Sequence, residues 1–465
     1  MVTIETDYLV VGAGAAGMAF TDSLITGSDS DVVLVDRRHR PGGHWHNAYP
    51  FVRLHQPAAF YGVNSRVLGS DSIDVAGPNA GMYERVTGVE VLDYFQRVLD
   101  EQFLPSGQVR FFGMCDYLGE RSGTHQFESR LTGEITEVRV RQKLVDATYL
   151  ETPVPSLHSP SFTVDPDVRF MPVNGLVSLS KPASGFTVIG AGKTAMDACM
   201  WLLENEVDPD LIRWIRPRDA WLLDRTFAQP LELVGSLMEG VALNLQSAAE
   251  AENVDDLFLR LEACGQLVRL DPAVSPTMYR CATVSQGEIE SLGRIGNVIR
   301  QGRVRSIGSE QILLEEASIP TGRQQVHIDC TAAGLRVSPA RPIFEQDRIT
   351  LQQIRTCQPT FNAALVGYLE GAREDLEEKN RLCPPNPYPD AAFDWLTSSS
   401  ISWRAQAAWN RDPDLGAWLE SSRLNASRGI AAHLAEPQMQ SALTRYLEYS
   451  EPAIENLDRL TARGT

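Results

Sequence analysis

The feature that most limits how this chain can fold is the glycine-rich hexapeptide GAGAAG at residues 12–17. An apolar run at residues 7–11 leads directly into it, and a helical stretch at residues 15–25 follows. A second apolar run at residues 32–35 then ends at an acid, Asp36. This order of strand, G-x-G-x-x-G loop, helix, strand and acid predicts a βαβ unit that binds a dinucleotide, with Asp36 accepting hydrogen bonds from ribose hydroxyls.

Each residue of the loop has a separate task in such a unit. Gly12 allows the tight turn, Gly14 lets a pyrophosphate approach the backbone, and Gly17 lets the helix pack close to the strand. The first helical amides, at Ala15 and Ala16, are then free to bind phosphate oxygens. We therefore expect all five residues to belong to the first cofactor site.

The next segment reads RRHRPGGHWHNAYP and occupies residues 37–50. It resembles the GG-x-W…YP signature of the flavin-containing monooxygenases and their Baeyer–Villiger and N-hydroxylating relatives. The matching residues are Gly42, Gly43, Trp45, Tyr49 and Pro50. The resemblance implies that the first dinucleotide is FAD, because in that superfamily the GG loop passes beneath the flavin diphosphate and ring.

The same resemblance implies which side chains surround the flavin. In the family, the segment that corresponds to residues 53–65 runs along the isoalloxazine ring. The residues assigned to the flavin on this basis are Arg37, Gly43, His44, Trp45, Arg53, His55 and Gln56. Among them, His55 and Gln56 are the candidates for catalytic groups, with His55 expected near N5 or C4a.

A second glycine loop begins at residue 190, after an apolar run at residues 186–189. It reads GAGKTAMD, and it resembles the G-x-G-x-S-A-x-D motif of the same superfamily. The residues that carry the match are Gly190, Gly192, Thr194, Ala195 and Asp197. The resemblance implies a second dinucleotide, bound by Gly190, Gly192, Lys193 and Thr194. A P-loop is the competing interpretation of GAGKT, but Thr187 stands in the strand where that motif needs a small loop residue.

The second cofactor is expected to be NADPH. The strand predicted at residues 211–215 ends at Arg216 and Arg218, where the first unit has Asp36. Arginine at this place suits the 2′-phosphate of NADP, which two planar guanidinium groups can grip. A solvated basic turn is the alternative interpretation of the two arginines.

Two further segments fix the predicted domain organisation. Residues 145–160 resemble the family's ATG linker, with Tyr149 in place of its glycine, and residues 327–335 resemble the strand by which the chain returns to the FAD domain. We expect Ala147, Thr148, Ala333 and Gly334 to bind cofactor. The predicted fold is α/β, with two Rossmann-like dinucleotide-binding domains and a helical C-terminal region that includes helices over residues 361–380 and 415–434. Its parts are a FAD domain at 1–165, an inserted NADP domain at 166–325, and a return to the FAD domain at 326–465.

Composition excludes several other classes of protein. The 465 residues carry a net charge of −18, which argues against nucleic acid as a partner. No apolar run is long enough to span a membrane, no histidine spacing suggests zinc, and no signal peptide is expected, so the predicted location is cytoplasmic. The seven scattered cysteines suggest reduced thiols, and the absence of C-x-x-C argues against reductases with a vicinal redox pair.

The resemblance implies a FAD- and NADPH-dependent monooxygenase that inserts one oxygen atom of O2 into a small organic substrate through a C4a-(hydro)peroxyflavin. The family's F-x-G-x-x-x-H-x-x-x-[YFW] fingerprint is absent, because Met171 or Pro172 falls where its histidine is expected. Two alternatives therefore stay open: a FAD-dependent dehydrogenase or desaturase without oxygen transfer, and a protein that keeps FAD in a non-redox role. The substrate, the oligomeric state and the role of residues 235–300 are not indicated by any pattern.

Overall fold

Short apolar segments that precede glycine loops form the central strands of two parallel sheets. The structure is a computed structural model that describes residues 2–150, 153–334 and 338–464. The strands in these ranges are β1 (Val2–Val11), β2 (Val32–Val35), β3 (Val109–Phe112), β4 (Cys115–Arg121), β5 (Thr124–Ser129), β6 (Ile135–Asp146), β7 (Thr163–Val164), β8 (Arg169–Pro172), β9 (Gly185–Ile189), β10 (Ile212–Ile215), β11 (Ala220–Asp224), β12 (Leu267–Val268), β13 (Met278–Val284), β14 (Asn297–Ile299), β15 (Val304–Ile307), β16 (Gln311–Leu314), β17 (Ser318–Pro320), β18 (Gln325–Asp329) and β19 (Arg348–Thr350).

The helices separate and cover these sheets. They are α1 (Ala15–Gly27), α2 (Gly88–Val98), α3 (Leu104–Ser106), α4 (Lys193–Glu204), α5 (Val234–Glu250), α6 (Val254–Ala263), α7 (Gln286–Gly293), α8 (Pro359–Ala372), α9 (Leu376–Leu382), α10 (Ala392–Trp409), α11 (Pro413–Ser421), α12 (Ile430–His433) and α13 (Pro437–Gly464). None of the helices that the structure describes is both long and apolar enough to cross a lipid bilayer.

The first sheet has the strand order β3-β2-β1-β6-β5-β4, and β19 pairs with the end of β6. Strands β1, β2, β3, β6 and β19 run parallel, whereas β4 and β5 form an antiparallel extension. The βαβ unit predicted from residues 7–36 is confirmed as β1, α1 and β2, with β1 starting earlier than predicted, at Val2.

The second sheet is parallel throughout, in the order β14-β10-β9-β18-β8. Its β9, α4 and β10 are the βαβ unit predicted around the second glycine loop. Strand β18 lies between β9 and β8, so residues 325–329 complete this sheet, and the chain rejoins the first sheet only at β19. The boundary predicted at residue 326 thus falls at the start of the last strand of the second sheet. Residue 335, which ends the segment compared with the family, lies outside the described residues.

The C-terminal region is helical, as predicted, but the two helices expected there are shorter than predicted. The helix expected over residues 361–380 is two helices, α8 and α9, and the one expected over 415–434 is interrupted after α11. Helix α8 packs on α1 at Gly367, where an added Cβ would lie 2.5 Å from the carbonyl oxygen of Phe20. Helix α13 covers α5, part of the segment 235–300 that matched no sequence pattern. The rest of that segment supplies α6, α7, β14 and two strands, β12 and β13, of the small sheet β12-β11-β13.

The expectation that the cysteines are reduced thiols is wrong for two of them. Cys281 and Cys357 form a disulfide across 76 residues of sequence. Cys281 lies on β13, and Cys357 lies in the loop between β19 and α8, so only the tertiary fold brings them together. The two cysteines are not close together in the sequence, so no short spacing of cysteines predicts the bond. The cysteines described as free are Cys115, Cys199, Cys264, Cys330 and Cys383.

Candidate functional site

A cavity of about 1010 Å³ lies where the carboxyl ends of the two parallel sheets face each other. The last residues of four strands, Val11, Val35, Ile189 and Ile215, line it. Ligands of open parallel sheets bind at this edge, where the strand order reverses. Both glycine loops open onto this one cavity, and every candidate cofactor residue lines it except Gly17 and Arg216.

The first glycine loop is shaped by close backbone contacts. Gly12 has a φ of +103°, in the region that favours glycine, and its N–H donates to the carbonyl oxygen of Val35 at 2.8 Å. A Cβ added to Gly17 would lie 1.9 Å from the Gly12 carbonyl oxygen, so only glycine lets α1 pack this closely. Gly17 therefore lies behind the cavity rather than in its wall.

The N-terminus of α1 points its free amides at the cavity. Its N-cap is Gly14, no side chain caps it, and its first turn contains no acidic residue. The first N–H groups of a helix need partners, and the helix dipole favours an anion there. Ala15 and Ala16, the first helical residues, line the cavity as expected for a diphosphate-binding end.

Asp36 is fixed in place by the loop it follows. Its Oδ2 accepts a hydrogen bond from the Ala13 N–H at 2.7 Å, and its Oδ1 accepts one from the Arg38 N–H at 2.7 Å. The side chain is 5% exposed, and that exposed part faces the cavity. Each carboxylate oxygen has a further lone pair, so Asp36 can still accept hydrogen bonds from a ribose.

The GG loop crosses the first glycine loop at van der Waals distance. The Gly42 N–H donates to the Ala13 carbonyl oxygen at 2.9 Å, and a Cβ on Gly43 would lie 2.9 Å from the Cα of Gly14. Behind this crossing, the Trp45 Nε1–H donates to the Tyr61 hydroxyl at 2.8 Å. The two loops therefore form one floor to this end of the cavity.

The second glycine loop repeats the arrangement in the other sheet. Gly190 has a φ of +139°, and a Cβ there would lie 2.5 Å from the carbonyl oxygen of Cys330. Its own carbonyl oxygen accepts a hydrogen bond from the Trp214 Nε1–H at 2.7 Å. Helix α4 starts at Lys193 with Gly192 as N-cap, without a side-chain cap and without an acid in its first turn. A second anion-binding helix end therefore opens on the cavity.

Asp197 joins the two halves of the site. Its carboxylate accepts a hydrogen bond from the Tyr49 hydroxyl at 2.5 Å and pairs with the Lys193 ammonium one turn earlier on α4. Burial, together with the Asp197 charge, raises the pKa of Tyr49 well above its usual range, so its hydroxyl stays a donor. Tyr49 and Asp197 each matched a family motif, but nothing in the sequence indicated that they touch.

The two arginines predicted to bind phosphate occupy different environments. Arg216 is 3% exposed, pairs with Asp219 at 2.9 Å and lies over the Trp214 ring at 4.8 Å, so it does not line the cavity. Arg218 does line the cavity, as does Arg303, which sequence reasoning missed. Within the described residues, neither of these two guanidinium groups has a hydrogen-bond or ion-pair partner. The missed arginine lies far along the chain, just before β15, where no motif marks it.

His44 and His55 line the cavity, where His44 is half-buried and His55 is exposed. The surrounding protein desolvates both rings and lowers the pKa of each to about 4, with the charge of Arg38 adding to the effect at His44 and that of Lys193 at His55. Both rings are therefore neutral near pH 7. His44 stacks on Trp45 with ring centroids 5.2 Å apart. His55 has Gln56 beside it in the cavity wall.

A buried ionic cluster lies behind His55, and no sequence pattern predicted it. The Arg225 Nε–H donates to the His55 carbonyl oxygen at 2.9 Å, and Arg225 pairs with Glu288 at 2.9 Å. Arg85 pairs with the same carboxylate at 3.2 Å. Burial opposes ionisation of Glu288, but the charges of Lys193, Arg225 and Arg85 outweigh it and lower its pKa to about 2. The cluster thus holds the backbone at His55 in place.

The segments that resembled ATG linkers also reach the cavity. Ala147, Thr148, Ala333 and Gly334 line it, and the Ala147 N–H donates to the Val11 carbonyl oxygen at 3.0 Å. Residues 151–152, inside the first of these segments, are not described. In place of the family's fingerprint, Met171 and Pro172 end β8, an edge strand of the second sheet.

Fold and site together define a protein with two dinucleotide-binding loops that open on a shared cavity. A model of the NAD(P)-binding Rossmann-like domain matches residues 10–63, the first of these loops. Uncharacterized proteins of Mycobacterium bovis and Mycobacterium tuberculosis are 48% identical over 424 residues, covering 91% of this chain and 78% of each relative. The chain belongs to the same family as these mycobacterial proteins.

Among solved structures, the polycyclic ketone monooxygenase of the fungus Thermothelomyces thermophila is similar in fold. The match has a TM-score of 0.51 and 11% sequence identity, and it covers 97% of this chain and 90% of that one. At this identity the similarity concerns the fold alone. It confirms the predicted architecture of two Rossmann-like units and a helical C-terminal region.

Proposed function

We propose that this protein is a FAD- and NADPH-dependent oxidoreductase, and most specifically a monooxygenase acting on a small organic substrate. The observation that carries the proposal is the pair of uncapped helix N-termini, at α1 and α4, that open on one cavity. Each follows a glycine loop, and the cavity is large enough for the facing ends of two dinucleotides. The likeness in fold to a ketone monooxygenase supports the same class of protein.

The residues at the first loop fit FAD. The close crossing of Gly14 and Gly43 leaves a backbone-lined groove without side chains, and the amides of Ala15 and Ala16 lie at its end. Asp36 is positioned to bind the ribose, while Trp45 and His44 form a flat aromatic surface beside it. FAD bound here would supply hydride acceptance from a nicotinamide and the reduction of dioxygen.

The residues at the second loop fit NADPH. A Cβ on Gly192 would meet no protein atom within 4 Å, so the space above this loop is free for a pyrophosphate. Arg218 and Arg303 supply two guanidinium groups that the protein itself leaves without a carboxylate among the described residues. Such groups suit a 2′-phosphate. We assign Arg218 and Arg303 to that phosphate and Arg216 to the interior of the second sheet.

The chain's own side chains hold and orient the reacting groups. Lys193 is kept beside the cavity by Asp197, and the Tyr49 hydroxyl keeps that carboxylate oriented. His55 is neutral near pH 7, so one ring nitrogen can donate a hydrogen bond and the other can accept one. We assign His55 and Gln56 to positioning polar atoms of the substrate or flavin, with Arg225 fixing their backbone.

One observation favours a second candidate function. The family's fingerprint histidine has no counterpart, and the residues at its place, Met171 and Pro172, can neither donate nor accept a proton through their side chains. A dehydrogenase or desaturase built on the same two loops does not need the dioxygen chemistry that the fingerprint accompanies. A protein that keeps FAD without redox turnover is the third possibility.

The test is a sequence of spectra on the purified protein. FAD is identified by the visible absorbance of the purified protein and by its release when the protein is denatured. The protein is then reduced anaerobically with NADPH, mixed with air-saturated buffer and ketone, amine or sulfide substrates, and analysed for products labelled from ¹⁸O₂. Labelled product supports the monooxygenase. Substrate-dependent bleaching of the flavin without NADPH supports the dehydrogenase instead, and failure of both leaves the non-redox role. A wild-type protein that never binds FAD contradicts all three.

A further inference from the structure

The disulfide of this protein lies in the wall of the large cavity. Cys281 and Cys357 both line it, and their Cα atoms are 6.5 Å apart. Neighbouring parts of the same wall come from Thr283, Gln353 and Tyr388. Both cysteines are therefore among the residues that a solute in the cavity meets, and Cys357 is the more exposed of the two.

The backbone at each sulfur is unusual. Cys281 has a φ of +54° and Cys357 a φ of +65°, the left-handed region that residues with a side chain rarely adopt. Strained conformations of this kind gather at functional sites, where the surrounding structure enforces them. Both sulfurs are therefore carried by residues that the surrounding structure holds in this uncommon conformation.

Cys281 is also aimed at the cavity by an irregular strand. In β13, Tyr279 pairs with Trp221 and Thr283 pairs with Leu223, so three residues of β13 stand where β11 has only Leu222. A bulge of this kind redirects side chains and is common beside functional sites. The placement of this sulfur is thus built into the strand.

The protein does not need the bond to keep β13 in place. The Tyr279 N–H donates to the Asp390 carbonyl oxygen at 3.0 Å, and the Tyr388 hydroxyl donates to the Arg280 carbonyl oxygen at 2.9 Å. An ion pair between Arg280 and Asp390 adds a third link. These contacts would hold β13 to residues 388–390 after the bond opens, so only the connection to Cys357 would be lost.

We propose that Cys281–Cys357 is a thiol–disulfide exchange site that low-molecular-weight thiols reach through the cavity. A thiolate of the small thiol attacks one sulfur, which forms a mixed disulfide and releases the other cysteine. A second small thiol then attacks the sulfur of the first in the mixed disulfide, which releases the protein cysteine and forms the disulfide of the two small thiols. Two thiols are oxidised, the protein's S–S bond is reduced by two electrons, and the two protons of the small thiols go to Cys281 and Cys357. The oxidised form of the small thiol reverses the reaction.

Opening the bond frees residues 353–358 from β13 and loosens this wall of the cavity. The Cys357 N–H then depends on its hydrogen bond to the Gln353 side chain, at 3.1 Å, to keep its place. The proposal does not rest on the assigned function, because the exchange involves only the chain and the small thiol. It holds whether or not the protein oxidises a substrate.

The first experiment measures the state of each cysteine in the folded protein. The purified protein is equilibrated with reduced and oxidised glutathione in varied ratio without denaturant, quenched with acid, alkylated and analysed by peptide mass spectrometry. Cys281 and Cys357 are expected to become alkylated together as the ratio rises, while the free, partly exposed Cys264 is labelled equally throughout. If the two cysteines are alkylated only after denaturation, the disulfide has a purely structural role. If they are already alkylated in the air-oxidised protein, no disulfide is present. Either result overturns the proposal.

The second experiment measures the effect on the wall by hydrogen exchange. We expect residues 278–284 and 353–358 to exchange at least roughly tenfold faster in the reduced protein, because local opening then becomes easier, with α1 and α4 unchanged. The variant with Cys281→Ser and Cys357→Ser should reproduce the pattern, and Cys264→Ser should not. Faster exchange everywhere would mean that the bond supports the whole fold, and unchanged exchange would mean that it does not secure the wall. Both results contradict the proposal.

Discussion

The two glycine loops have nearly the same sequence and geometry, but they differ at the end of the strand that follows. In the first unit, Asp36 stays at the cavity, held by the amides of Ala13 and Arg38. In the second, Arg216 turns into the protein, pairs with Asp219 and stacks on Trp214. The same topological position therefore supplies a cavity-lining residue in one unit and an interior residue in the other.

The difference follows from the size and charge of the two side chains. An aspartate is short enough to be satisfied by the backbone of its own loop while one face stays open. An arginine is long, and burying it requires a carboxylate and a flat apolar surface, which Asp219 and Trp214 provide. The positive charge at the second cavity end comes instead from Arg218 and from Arg303, which lies in another part of the chain.

The largest effect is expected from one substitution in each glycine loop, which tests whether the two loops bind separate cofactors. Gly14→Val should abolish FAD binding, because the side chain enters the groove between Gly14 and Gly43. Gly192→Val meets no protein atom near its Cβ, so the protein should stay yellow while its KM for NADPH rises. Absorbance of the purified proteins and steady-state kinetics measure the two effects.

Gly14→Ala is the control for folding, since its Cβ would lie 3.5 Å from the Cα of Gly43, an ordinary contact. It should purify like the wild type. If Gly192→Val also lost its flavin, the two loops would not bind separate cofactors, and the comparison would fail.

The next effect concerns the interior role of Arg216. Arg216→Ala should lower the free energy of unfolding by about 2–4 kcal/mol, because it leaves a cavity over Trp214 and removes one partner of a buried carboxylate. Asp219 keeps a second partner, Arg300, at 2.8 Å, which limits the loss. Urea unfolding followed by tryptophan fluorescence and circular dichroism measures it. A fully stable variant would show that Arg216 is free to serve a ligand after all.

A smaller effect tests the cofactor-binding role of Arg218. Arg218→Ala should lose a charge-assisted contact worth about 1.5–3 kcal/mol, which corresponds to about a 10- to 150-fold lower preference for NADPH over NADH. Its stability should change by less than about 0.5 kcal/mol, since no described residue depends on this guanidinium.

Arg303→Ala should behave in the same way if both arginines contact the 2′-phosphate. The ratio of kcat/KM for the two cofactors is the measurement. Arg305→Ala is the control, since Arg305 is an exposed residue of the hairpin formed by β15 and β16 and is paired with Glu315. A variant of Arg218 that kept its full preference would assign cofactor choice to another part of the cavity.

The sequence predicted the parts of the site that depend on local order along the chain. Strand, glycine loop, helix and the next strand are contiguous, so the spacing of Gly12 and Gly17 was enough to predict the first unit, and that of Gly190 the second. The GG-x-W segment likewise lies in the wall of the cavity, beside the first glycine loop. Each of these signals lies within one short segment.

What could not be predicted depends on contacts between distant segments. Arg303, the Arg225–Glu288 cluster and the Cys281–Cys357 bond are placed by the fold, and none belongs to a motif. Arg216 turns into the interior because Asp219, three residues later, and the ring of Trp214 both contact it there. A linear sequence pattern does not show whether such an arginine faces the interior or the surface. Helices α8 and α9 were predicted as one helix, because apolar spacing continues across the short break between them.

The smallest expected effect tests the contact that joins the two units, the hydrogen bond from Tyr49 to Asp197. Tyr49→Phe removes one donor to a charged acceptor, a loss of about 1.5 kcal/mol in the free energy of unfolding. Asp197 keeps its pairing with Lys193, so the loss stays small. Because the missing hydroxyl no longer orients Asp197 at the start of α4, the KM for NADPH should rise a few-fold.

Tyr61→Phe is the matched control, since its hydroxyl accepts from Trp45 entirely within the first unit, 2.8 Å away. Its stability should fall by a similar amount, while its KM for NADPH stays unchanged. Equal changes of KM in the two variants would mean that Tyr49 supports the cavity only generally and that the two loops act independently of this contact.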